Sequence, residues 1–122
     1  ERLERWVLSL VAAKRAKVLD DPEMFATYQA DAAAAREVVD AHRAALRGQL
    51  VSIIESGIAA GEFAPTDATE AASAVFDATA RFHHPLHVRD AAGHDPVEQD
   101  RALRRVVALL VGGLKAGAPT PV

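Results

Sequence analysis

The apolar positions of this chain recur three and four residues apart, the lattice of an α-helix, and nowhere alternate as in a half-buried strand. Leu3, Trp6, Val7, Leu10, Val11 and Val18 share one face, which predicts a first helix over residues 1–19. Lys14, Arg15 and Lys17 fall in its C-terminal turns, where cations suit the helix dipole. Asp20-Asp21-Pro22-Glu23 then reads as a stop followed by a start, with Asp21 as cap and Pro22 at the first helical position. The next segment carries Met24, Phe25 and Tyr28 and crosses Asp31 and four consecutive alanines, as one helix or two. From Arg36 onward Val38, Val39, His42, Leu46, Leu50, Ile53, Ile54 and Ile58 mark a long apolar stripe, so these side chains are expected to point inward. Gly48 and Gly57 lie inside that stretch and weaken it by about 1 kcal/mol each relative to Ala. Gly61 suits a left-handed helix terminus, and residues 62–65 form a turn.

Asp67 with Glu70 resembles a capping box and opens a helix whose stripe is Ala72, Val75, Phe76, Thr79, Phe82 and His83. Pro85 removes an N–H and disfavours helical geometry at His84, which predicts a break there. Residues 88–94 read as a polar loop. Asp95-Pro96-Val97-Glu98 starts the last helix, which ends in a frayed tail from Ala116. Over its final three turns that helix is apolar nearly all round, wider than one buried stripe requires, and Gly112 and Gly113 would permit close helix approach.

Composition agrees with helices. The chain has 122 residues, 27 of them Ala, the best helix former, because its side chain loses no rotamer freedom. The expected fold is all-α, an antiparallel bundle of about five helices forming one domain over residues 1–122. Half of the residues are hydrophobic, which argues against disorder. Cys is absent, which removes disulfides, thiolate metal sites and a cysteine nucleophile. The apolar runs are too short to span a membrane, and no signal peptide is evident at the start, so a cytoplasmic location is expected. A net charge of −3 gives no general basic footprint for nucleic acid. With no initiator Met and a helical pattern from the first residue, the chain reads as part of a longer one.

Candidate chemistry is sparse. Ser9, Ser52, Ser56 and Ser73 offer hydroxyls without a nucleophile elbow, and no glycine-rich loop has phosphate-binding spacing. An enzyme is therefore not expected. Histidine is the unusual feature. His42 sits on an apolar stripe, and His83 and His87 are four apart, the spacing that puts two imidazoles on one helical face, although Pro85 intervenes. Two readings stand side by side. In one, these histidines are hydrogen-bonded structural residues near a helix end. In the other, His42, His83 and His87 converge on one site, either a divalent transition metal such as Zn or Ni, which would make the bundle a metal carrier or a metal-dependent hydrolase, or a set of polar anchors for a small effector. The aromatic residues fill the core or, with the histidines, line a cavity between helices. The candidate effector pocket is Trp6, Tyr28, His42, Thr79, Phe82, His83 and His87.

Two stretches carry a resemblance. The run Ile54-x-x-Gly57-x-x-x-Gly61-Glu62-Phe63, leading to Asp67 and a helix of small residues, resembles the C-terminal domain of TetR-family transcriptional regulators. Residues 74–85 and Val38-Val39-Asp40-Ala41-His42 are similar to a subgroup of these domains. The resemblance covers nearly the whole chain. It implies a helical domain that binds a small-molecule effector and forms a homodimer through its last two long helices. Effector binding would change the spacing of two N-terminal helix-turn-helix domains on operator DNA. No helix-turn-helix segment lies in this chain, so operator DNA would be reached only through a domain preceding Glu1, and the first helix would be the connector. The surplus apolar surface of the last helix fits such a dimer. Val106, Leu109, Leu110, Val111 and Leu114 are the expected interface.

Overall fold

The structure, a computed structural model, describes residues 2–20, 32–84, 87–88 and 93–117. Among them are four helices and no strand: α1 (Arg2–Asp20), α2 (Ala32–Ala59), α3 (Ala68–His83) and α4 (Pro96–Ala116). The all-α expectation holds. The additional helix expected over Met24, Phe25 and Tyr28 lies outside the described residues, as does the side chain of Val18. The four alanines at 32–35 belong to α2.

Side-chain contacts fix the helix directions. Trp6 Nε1 donates to Gln49 Oε1 at 2.8 Å, and Lys14 Nζ lies 2.6 Å from His42 Nε2, so α1 and α2 run antiparallel. Arg104 reaches Glu4 and Arg15 reaches Gln99, which sets α4 antiparallel to α1. All four helices supply the core. Val7, Leu50 and Ile54 are wholly inaccessible, and Phe76, Phe82, Leu103 and Val107 pack around them.

The termini follow from local chemistry. Asp67 Oδ1 accepts from the Thr69 and Glu70 N–H groups and caps α3, and Asp95 caps α4 by accepting from Val97 N–H. α3 stops where Pro85 requires it to: His84 is extended, with its N–H still bonded to Ala80 O. α2 ends in a Schellman motif. Gly61 takes φ of 78°, its N–H bonds Ile58 O, and the Glu62 N–H bonds Gly57 O. Phe63 then folds back, and a Cβ placed on Gly57 would overlap its ring. The run Ile54–Phe63 is thus a helix terminator: a buried anchor, a glycine under a ring, a left-handed turn and the ring itself.

Four expectations are corrected. Val38 and Val39 are 55% and 42% exposed, and His42 is exposed as well. α2 has 28 residues, about 42 Å at 1.5 Å per residue, against 16 for α3, about 24 Å. α3 ends beside Arg43, so no third helix covers the first turns of α2 among the described residues. Val88, expected in a polar loop, is buried, and its N–H bonds His84 O. Leu114, expected at an interface, turns into the chain's own core, and its carbonyl accepts from Ala64 N–H. No atom lies within 4 Å of a Cβ built on Gly112 or Gly113, so neither marks a close approach within this chain.

Candidate functional site

The C-terminal turns of α1 and α3 meet the third turn of α2 and bring together Lys14 and Lys17, His42 and Arg43, and His83 and His84, with His87 one turn further on. Lys14 on α1 donates to His42 Nε2 across the α1–α2 seam, which fits a neutral imidazole carrying its proton on Nδ1. Burial and then Lys17 hold Lys14 below the ordinary lysine range. Burial, followed by Lys14 and Lys17, lowers His42. Burial also lowers His84, and Arg43, His87 and Lys14 push in the same direction. The His84 and His87 rings meet edge to face at 5.4 Å.

His83 is the buried member, 4% exposed. Thr79 Oγ1 donates to Val75 O at 2.8 Å, so its lone pairs are left for the His83 Nε2–H at 3.1 Å. The ring packs on Phe76 at 4.8 Å. Burial takes His83 down to about 4 against a partly opposing hydrogen bond to the Phe76 backbone, with Lys14, His84 and Arg43 lowering it further. His83 is therefore a neutral, hydrogen-bonded core residue at pH 7.

The residues singled out in the sequence therefore divide. Thr79 and His83 are joined, and Phe82 is buried beside them, with Arg81 over its ring at 4.7 Å. Trp6 is half-buried at the α1–α2 seam, tied to Gln49. His42 and His87 are exposed. Tyr28 lies outside the described residues. His42, His83 and His87 do not form a metal-binding group: among the described residues no three His, Asp or Glu side chains could hold an ion. The inward orientation expected of His42 fails: the side chain is exposed and meets Lys14 on α1.

Two features escaped the sequence reading. One is the set of cations Lys14, Lys17 and Arg43, from helices whose proximity no local spacing reveals. The other is an open cleft of about 270 Å³ at the opposite end of the bundle. Leu3, Ile53 and Phe63 wall it, and Arg2, Glu62 and Lys115 border it. Its sequence signal was the Gly57–Phe63 terminator, which builds one wall. On α4, Leu109 is 80% exposed and Val106, Leu110 and Val111 are half-buried, so the surplus apolar surface persists in the folded chain.

No helix among the described residues is long and apolar enough to cross a membrane. No curated protein and no solved structure gives a significant match to the chain. The profile of the family described as "Tetracyclin repressor-like, C-terminal domain" matches residues 1–107. That match spans α1 to α3 and the first half of α4, including the terminator at 54–63. The chain belongs to the Tetracyclin repressor-like C-terminal domain family.

Proposed function

We propose that this chain is the ligand-sensing and dimerisation domain of a TetR-family transcriptional regulator. A small-molecule effector held among the helices would control operator binding by an N-terminal helix-turn-helix domain, in the cytoplasm. The domain would work by binding, without catalysis. The observation that carries this reading is the family match over residues 1–107. The α4 surface supports it: Val106, Leu109, Leu110 and Gly113 are three or four residues apart and form one patch with open space over the glycine. A second copy placing the same patch against it would bury the apolar surplus, with α3 completing the seam.

Leu109→Asp tests the dimer. At 80% exposure the substitution leaves the core of one chain intact. Two Leu side chains leave an apolar interface by symmetry, each contributing about 1.5–3 kcal/mol. Sedimentation velocity should show a wild-type dimer and a variant monomer with unchanged helicity. A monomeric wild type, or a variant that remains dimeric, removes this helix from the interface.

A further inference from the structure

We propose that the end of the bundle where α1, α2 and α3 meet binds the oxyanion of a small molecule, a carboxylate or a phosphate, through Lys14 and Arg43, with His42 and His84 flanking it. The inference rests on the effector-domain reading for the ligand's role, but the site stands on its own geometry.

Two helices contribute cations to one place, Lys14 and Lys17 from α1 and Arg43 from α2, and α3 brings His84 beside them. Lys14 touches His42 at 2.6 Å. Lys14 and Arg43 both act electrostatically on His83 and His84, and Lys17 acts on Lys14 and His42. The chain as a whole has 17 acidic and 14 basic residues, so this local excess of positive charge does not follow from composition. Among the described residues, no ion pair joins Lys14, Lys17, His42 or Arg43 to a carboxylate. Ion pairs on α4 and the start of α1, Arg101 with Glu98 and Arg104 with Glu4 and Asp100, involve none of these four residues. Like charges gathered in a half-buried setting repel one another, and a bound anion adds an attraction to each of them that offsets this repulsion.

The donor set suits an oxyanion. A guanidinium offers two parallel N–H groups to a carboxylate or phosphate, and an ammonium adds a point charge. Lys14, Arg43 and His84 are half-buried. That placement admits a small ligand and suits the phosphates of a DNA duplex poorly, since these are met by exposed side chains on a broad basic face.

The test is calorimetric titration of the whole chain with sodium benzoate and, separately, with inorganic phosphate, against sodium chloride at matched ionic strength. Imidazole resonances are followed by NMR in parallel. Saturable one-to-one binding of either probe beyond the chloride control is expected, with shifts at His42 and His84. Benzoate alone points to an organic acid, phosphate alone to a phosphate ester. Lys14→Met and Arg43→Gln should each weaken binding about tenfold or more, the loss of one charge-assisted hydrogen bond. Helicity verifies folding of each variant, and Lys14→Arg should retain most of the affinity. The proposal is overturned if neither probe exceeds chloride, or if the folded Lys14→Met or Arg43→Gln chain binds as the wild type does. Anion binding by a chain that sediments as a monomer keeps the site and removes the dimeric-regulator reading. A dimer that binds neither probe does the reverse.

Discussion

Two glycines on α2 should respond to the same substitution with different outcomes. Gly48 and Gly57 both sit in helical backbone, and neither has positive φ. In a helix interior Ala is better than Gly by about 1 kcal/mol. At Gly48 a new Cβ meets nothing within 4 Å, so Gly48→Ala should stabilise by nearly that whole amount. At Gly57 the Cβ runs into the Phe63 ring, overlapping Cδ2 and lying 2.6 Å from Cε2. Phe63 is 8% exposed, and its N–H is bonded to Gly57 O at 3.1 Å, so the ring has little freedom to retreat. Overpacking of this kind costs about 1–3 kcal/mol. The two variants should therefore differ by about that much, with Gly57→Ala between neutral and about 2 kcal/mol destabilised. Urea unfolding followed by far-UV circular dichroism, at one fixed protein concentration, reads the difference directly. In a Phe63→Ala background, Gly57→Ala should regain its helical advantage, giving a coupling energy of about 1–3 kcal/mol. If Gly57→Ala stabilises the wild type as much as Gly48→Ala does, Phe63 does not cover Gly57 and the terminator is wrongly assigned.

Acid should destabilise the fold through His83. Its folded value of about 4 lies below the ordinary 6.5, so the unfolded chain takes up a proton that the folded chain refuses. Stability from this residue is fully present above pH 6.5 and is lost as pH falls toward 4, by about 3 kcal/mol in all. His83→Gln should flatten the pH dependence across that window, whatever it does to stability at pH 7. An unchanged slope would place His83 in solvent. Asp67→Ala should cost about 1 kcal/mol, because Thr69 and Glu70 N–H lose the carboxylate that caps α3. Thermal melts with no change in midpoint would refute that cap.

Much of this protein was determined by local sequence. Helical periodicity, Asp67 and Asp95 before their helices, Gly61 at the end of α2 and Pro85 after α3 act within a turn or two of themselves. They set where helices begin and end in any context. The same locality made the Ile54–Phe63 run recognisable, because a helix terminator is built from residues that are close in sequence. What surrounds each helix was decided elsewhere. Val38, Val39 and His42 continue a stripe whose later members, Leu50 and Ile54, are wholly buried, yet they are exposed. Periodicity assigns a face, whereas burial needs a neighbouring element to cover it, and none among the described residues covers these three. Leu114 and Leu109 were alike by composition. Rotation of α4 about its axis sends one into the core and leaves the other in solvent. The meeting of Lys14, Arg43 and His84 depends on three helices packing side by side, with the end of α3 against the third turn of α2. No spacing along the chain encodes that, because a charge's neighbours across a bundle are fixed by packing and by helix length, not by the residues beside it in sequence.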